Sequence, residues 1–365
     1  MSREQLRTDL LVDRRRPAIF GILASALLTA LVIVGSRSLE HFDSALFGYT
    51  IASIVALGAI VYRYAIWLQR PATRAYWLRG WKLFRERDKF GKNTATAATT
   101  IGKNLVAQHF IFKRGFSRWL MHFLIMWGCI LSALITFPLS FGWVHFKLEG
   151  DLGYRAYIFG FPGQILDGRS AAAWVQFHAL DFTAIMVIAG CAIAIRRRLK
   201  DRGAIAYQSF LLDFTPHMLL IAISVSGLML TASSLWFAGY MYYFIALIHQ
   251  AVVIMTLFYL PFGKLFHVVQ RPASIGVELY QQRSQEMEQA VCPRCGTNFI
   301  GKIWIEDLNK VVGQLGFDYR MPNGHTLQDY CPRCKRVMRG LAYASLPSKQ
   351  ESVFQGARAG EGPTD

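Results

Sequence analysis

The sequence predicts an all-α membrane protein of six transmembrane helices with a small soluble four-cysteine metal-binding module near its C-terminus. Three observations carry this. The 365-residue chain is 53% hydrophobic and only 17% charged. Six apolar runs each approach the roughly 20 residues that a spanning helix needs. Two identical Cys-Pro-Arg-Cys sequences, Cys292–Cys295 and Cys331–Cys334, follow the last run.

The runs fall at about Pro17–Val34, Ala45–Leu68, Arg118–Gly142, Ala171–Ile195, Leu211–Leu235 and Gly239–Phe262. A basic segment precedes the first, as in a signal peptide. Its apolar stretch is long and lacks a small-residue cleavage site, so a retained helix is expected. Residues 1–44 then hold a basic tail and an added first helix. Residues 45–267 form the membrane core, broken by a polar Thr- and Ala-rich loop around Gly91–Asn104. Residues 268–285 make a linker and 286–345 the Cys module. The small, polar residues 346–365 are expected to be disordered. Gly150–Gly153 and Gly160–Gly163 read as isolated turn signals in an outer loop.

The net charge of +17 is distributed unevenly. Basic residues crowd the N-terminal tail (Arg3, Arg7, Arg14, Arg15, Arg16), the segment Arg70–Arg118, the run Arg196–Arg202 and the chain from Lys264 onward. The alternate connections hold few: Arg37 in one, and Lys147, Arg155 and Arg169 in another. This positive-inside pattern predicts a multi-pass membrane protein with an even number of spans and both termini cytoplasmic. A nucleic-acid role needs a basic face with stacking aromatics on a soluble domain, and nothing here requires one.

Two CxxC pairs supply four thiolates, Cys292, Cys295, Cys331 and Cys334, suited to one tetrahedral metal. Zinc is the expected occupant, with rubredoxin-like iron next and an iron–sulfur cluster last. Two disulfides are disfavoured in the reducing compartment that the charge pattern assigns to this module. The 35 residues between the pairs must fold as an inserted hairpin or helix. Cys129 and Cys191 lie in apolar runs and read as small buried hydrophobes.

His249 and His267 are 18 residues apart at the two ends of the last apolar stretch. On a straight helix that is five turns, so both imidazoles share one face about 27 Å apart. Imidazole within a bilayer is costly and marks function. One residue towards each side suits two stacked b-type haems. His109 and His122, 13 residues apart, lie at the entry to the third run. On a straight helix they would be about 20 Å and some 220° apart, facing different directions unless Lys113–Gly115 kinks the chain. His178 lies in the fourth run with Asp181 one turn on, and His217 starts the fifth. His41, His145 and His325 read as solvated or capped side chains.

Ala45–His267, about 60% of the chain, resembles the gamma subunit of respiratory nitrate reductase, which implies a place in a bacterial cytoplasmic (inner) membrane. It is also similar to the five-helix cytochrome b subunits of heterodisulfide-reductase-like and sulfite-reductase-associated complexes. The stretch DFTPHMLLIAISVSGLML and the H-x17-H pattern ending in PFGKLFH carry the likeness. The resemblance implies a five-helix dihaem core plus one helix. It implies two haem b, the outer held by His122 and His249 and the inner by His109 and His267. Three features depart from the family: the first helix, the His109–His122 gap and the Cys module. The gap leaves His122 as the alternative inner ligand. The module points to a partner other than the nitrate-reducing complex.

The function implied is electron transfer between quinone and cytoplasmic iron–sulfur and catalytic subunits. The chain would then be a component of a quinone-linked oxidoreductase complex rather than a complete enzyme. A quinone site needs an ionisable group near the outer haem, and His145, His178 and Asp181 are the candidates by depth. A transporter is a rival reading, without the symmetric broken helices of that class. A non-redox anchor whose Cys module docks a cytosolic protein is another.

Overall fold

A computed structural model of the chain describes residues 13–201, 203 and 209–345. Arg3, Arg7, Arg202 and the polar tail from residue 346 lie outside the described residues. The protein is mostly helical and divides into two compact units. One comprises Val12–Gln69 and Thr94–Ile275, the other Met1–Leu11, Arg70–Asn93 and Gly276–Asp365.

The first unit contains six helices long and apolar enough to cross a membrane. These are Arg15–Gly35, Ser44–Leu68, Phe116–Ser140, Ala179–Lys200, Thr215–Trp236 and Tyr242–Phe262, here the first to sixth spans. They coincide with the six apolar runs, except that two runs begin in separate short helices. The fourth run is interrupted at His178, which ends the helix Ala171–Phe177 and caps the fourth span. The fifth is preceded by Phe210–Asp213 and restarts with Pro216 in its first turn, where a missing N–H breaks no helical bond.

The first span packs on the second, the second on the sixth, the sixth on the fifth, the fifth on the fourth and the fourth on the third. Thr50 Oγ1 of the second span donates to Ser140 O of the third at 2.6 Å, so the last five spans form a ring. Across that ring, the third and sixth do not pack side by side. Small residues let neighbouring backbones approach, as is usual between membrane helices. A Cβ at Gly190 would lie 2.7 Å from Ile125 Cγ1 and 2.9 Å from Met121 O, and one at Gly21 would lie 2.7 Å from Gly58 O. Large apolar side chains such as Leu134 and Leu247 face outward, as a hydrocarbon-facing surface requires.

Successive spans alternate in direction. Residues 36–43, 141–178 and 237–241 lie at one end of the bundle, and residues 209–214 and 263–270 at the other. The first is called here the sheet end, the second the basic end. The sheet is a departure from the all-α expectation. Strands β1 (Val144–Glu149), β2 (Gly153–Ile158) and β3 (Phe161–Asp167) pair antiparallel in that order. The glycines read as isolated turn signals belong to its two hairpins. Gly150 (φ 70°) turns β1 into β2, and Phe159 with Gly160 (φ 51° and 76°) turns β2 into β3. Positive φ at both central positions is what a tight hairpin turn demands.

The second unit contains the helices Pro71–Phe84, Lys302–Gln314 and Pro332–Ala344, with most of Ser274–Glu286. A hairpin of β4 (Gln289–Val291) and β5 (Asn298–Gly301) completes it. The 35-residue insert therefore supplies both a strand and a helix. Leu83, Leu279 and Tyr280 form its core with Tyr76, Ile303 and Trp304. Tyr280 stacks on Trp304 with centroids 4.7 Å apart. Arg79 donates to both oxygens of Asp307 at 2.9 and 2.6 Å, and Tyr280 donates to the same carboxylate at 2.6 Å. Arg70–Asn93, read from sequence as part of a membrane-core loop, thus packs in the unit that carries the cysteines.

Candidate functional site

The sixth span ends at Phe262, so His249 and His267 are not on one straight helix. Pro261 sits in the last turn and Gly263 is extended, which breaks the five-turn relation. Side chains from elsewhere in the bundle hold the break. The Arg63 guanidinium, from the second span, donates to the Pro261 carbonyl and lies 4.4 Å over the Phe266 ring. Lys264 pairs with Asp213, which also accepts from Arg198 at 3.1 Å and from Ser209 N at 3.0 Å. The Lys264 ammonium does most to hold the Asp213 carboxyl down at about 2, against the opposing effect of burial. His267 then opens a short helix and donates Nδ1–H to Lys264 O at 2.7 Å.

That turn brings His267 to His122, with ring centroids 6.3 Å apart and planes at 65°. His122 is half-buried and His267 exposed. His122 Nδ1 is 2.9 Å from Gln108 Oε1, so in both rings Nε2 is the nitrogen left over. Gln108 is 1% exposed and left-handed, at φ 52°. The preceding segment of chain is tied along the third span, where Trp119 Nε1 donates to Ala107 O at 2.8 Å and Trp127 Nε1 to Val106 O at 3.3 Å. The helix does break at Lys113–Gly115, placing His109 on the separate helix His109–Phe112. There its ring stacks on Phe112. The resemblance paired His109 with His267 and His122 with His249. The observed neighbour of His267 is His122, because the bend after the sixth span carries His267 to the foot of the third.

His249 lies two turns into the sixth span, and its Nδ1 is 2.9 Å from Ser226 Oγ of the fifth. Its ring meets Tyr49 edge-on at 6.5 Å. His217, at the basic end of the fifth span, donates Nδ1–H to Asp213 O at 3.0 Å. At the sheet end, His178 Nδ1 is 2.7 Å from Asp181 Oδ2, and Thr231 Oγ1 of the fifth span donates to Asp181 Oδ1 at 2.8 Å. Trp174 lies 4.9 Å from the His178 ring. His145, in β1, is apart from this pair. It is sandwiched between His41 at 4.2 Å and Tyr157 at 5.0 Å, and burial followed by the neighbouring His41 lowers its basicity.

In the second unit, the sulfurs of Cys292, Cys295, Cys331 and Cys334 all lie within 4.8 Å of one another. Cys295 Sγ and Cys331 Sγ are 3.8 Å apart, which is about the edge of a tetrahedron with metal–sulfur bonds of about 2.3 Å. Backbone N–H groups are aimed at the sulfurs, Cys331 N at Cys292 Sγ and Cys334 N at Cys331 Sγ, each at 3.4 Å. Burial alone would raise the Cys292 thiol, but N–H groups of Cys331, Cys295 and Arg294 outweigh it and bring it down to about 6. Burial and the neighbouring sulfurs push Cys334 up to about 12. Phe299, Met321 and Met338 pack around the cluster. The group could hold one metal ion, and its donor set suits zinc or iron.

Three residues of these sites went unnoticed in the sequence: Gln108, Ser226 and Thr231. Glutamine beside a histidine, or a hydroxyl in an apolar helix, carries no local signal of what it faces. No family model, curated protein or solved structure matches the chain.

Proposed function

We propose that this chain is a membrane-embedded cytochrome b subunit of a respiratory oxidoreductase complex, carrying electrons between the quinone pool and a cytoplasmic iron–sulfur partner. The observation that carries it is the His122–His267 pair. Two metal–nitrogen bonds of about 2 Å, with about 1 Å from each nitrogen to its ring centre, give a centroid separation of about 6 Å. The rings stand 6.3 Å apart with each Nδ1 already engaged by an oxygen. Metal-ligating histidines ordinarily donate their second N–H to such an acceptor. A haem b held there supplies one-electron redox chemistry. His249, with Nδ1 on Ser226 and Nε2 left over, is suited to a second haem nearer the sheet end.

Positive-inside charge supports a cytoplasmic basic end, with both termini and the four-cysteine unit on that side and the sheet outside. Zinc in the cysteine cluster would be structural. The partner subunits would meet the cytoplasmic surface, and quinone would be served near the sheet end. The test is a pyridine haemochrome assay on the purified chain, followed by addition of a quinol analogue. The reading expects b-type bands that the quinol reduces. A colourless protein would leave the transporter and anchor readings in its place.

A further inference from the structure

We infer that the helix Pro71–Phe84 is an interfacial anchor whose outer face takes the anionic phospholipid headgroups of the bilayer. The inference is independent of the haem assignment and needs only that the six spans lie in a membrane. The helix belongs to the unit that carries the cysteines, and its two faces differ in character. Tyr76, Arg79, Gly80 and Leu83 occupy one face. Leu83 is 2% exposed, and Tyr76 meets the Trp304 ring edge-on at 5.6 Å. Arg79 is held by Asp307, and a Cβ at Gly80 would lie 2.9 Å from Gly276 Cα. That face belongs to the core of its unit.

At about 100° per residue, Arg74, Trp77, Leu78, Trp81, Lys82 and Arg85 share the opposite face, within an arc of about 140°. Leu78 is 56% exposed and Trp81 42%, and Arg74, Lys82 and Arg85 are exposed as well. Trp77 meets Trp81 edge-on at 5.8 Å, and the Arg85 guanidinium lies 5.2 Å over the Trp81 ring. Residues 71–85 contain no Asp or Glu, so the charge on this face is wholly positive. Positive-inside placement accounts for the basic residues. It does not account for tryptophan and leucine beside them on one exposed face. Large apolar side chains interleaved with Lys and Arg are the composition of a helix lying in the headgroup layer.

The chain connection selects lipid over a soluble acidic partner. The second span ends at Leu68, and only Gln69 and Arg70 precede Pro71, which opens the helix. Three residue steps keep Pro71 within about 10 Å of the span's end. The headgroup layer is itself about 5–8 Å deep on each side. The helix therefore starts in or beside that layer. Lying along it removes Leu78 and Trp81 from water and brings Arg74, Lys82 and Arg85 to the lipid phosphates. Lipid would then hold the four-cysteine unit to the bilayer.

The experiment places the full chain in nanodiscs of phosphatidylcholine alone and of phosphatidylcholine with phosphatidylglycerol, and reads amide exchange of residues 71–85. Wild type is compared with Arg74→Gln/Lys82→Gln/Arg85→Gln and with Leu78→Ser/Trp81→Ser. Each basic residue at an anionic surface contributes about a fivefold preference, so wild-type exchange should slow at least about tenfold in the mixed discs. The charge variant should lose this difference, and the apolar variant should exchange faster in both lipids. Lys302–Gln314, packed on the other face, should exchange alike throughout, which separates loss of lipid contact from unfolding. Equal wild-type rates in the two lipids overturn the inference, and so does a lipid dependence that survives the charge variant. Photocrosslinking in native membranes from Leu78→p-benzoylphenylalanine distinguishes the occupants. A lipid adduct is expected, and an adduct to another polypeptide overturns the assignment.

Discussion

His122 and His267 come from opposite sides of the helical ring, yet their imidazole centroids lie 6.3 Å apart. Two separate devices bring them together. Gln108 holds His122 from a segment of chain tied along the third span, and the Arg63-bound, Asp213-bound turn carries His267.

Replacing Gln108 tests the first device. A buried, left-handed glutamine is an uncommon backbone state for a non-glycine residue, maintained here around one side-chain acceptor. Gln108→Leu should weaken haem retention about 10- to 100-fold, the usual effect of losing an outer-shell partner. Gln108→Glu should restore binding and shift the haem potential to lower values, because a carboxylate makes the imidazole a stronger donor. Redox titration of both variants checks this.

Asp213 tests the second. Its folded carboxyl, at about 2, lies below the ordinary value of 3.8, so its contribution is complete above about pH 4 and is lost as pH falls towards 2. Asp213→Asn should speed amide exchange of residues 263–270 about tenfold at neutral pH, as loss of a charge-assisted bond implies. The difference between variant and wild type should shrink below pH 4. An equal difference at pH 2 and pH 7 would contradict the assignment.

The spans were readable because each is a long apolar run, and hydrocarbon leaves the backbone no choice but a helix. The CxxC pairs were readable because four thiolates at that spacing have few other uses. The sheet was legible only in part: Val144–Glu149 alternates apolar with polar residues and glycine turns follow it, whereas Gly153–Ile158 and Phe161–Asp167 carry no such alternation. The histidine geometry failed at one point, Pro261–Gly263. The 18-residue spacing holds on a straight helix, while the actual partner of His267 depends on tertiary contacts to Arg63 and Asp213. Likewise, Arg79 gave no hint in sequence that it would close on Asp307, far along the chain.

The cysteine cluster should bind one zinc or iron ion and lose it in Cys331→Ser, with faster amide exchange across Cys292–Met338 and an unchanged membrane unit. Cys292 is depressed to about 6 from an ordinary value near 9, so in the folded unit its thiolate is present above about pH 6 and is lost as pH falls through that value. Metal should therefore be released on acidification below about pH 6, measured with a chromophoric chelator. Release that is independent of pH would exclude thiolate ligation.

Gly190 should be intolerant of a side chain. A Cβ there would press on Ile125 and on the Met121 carbonyl, next to His122. Gly190→Val should cost about 1–3 kcal/mol through overpacking and lower haem content at the basic-end site. Thermal melts of the detergent-solubilised protein, with haem spectra, read both effects.

The central claim is that His122 and His267 hold the same haem. Haem stoichiometry and low-temperature α-band spectra of His122→Ala, His267→Ala, the double variant and His249→Ala test it directly. The pairing predicts that both single variants lose the same spectral component, that the double variant loses no more, and that His249→Ala loses a different one. If His122→Ala and His249→Ala remove one component while His267→Ala removes another, His122 and His267 do not share a haem.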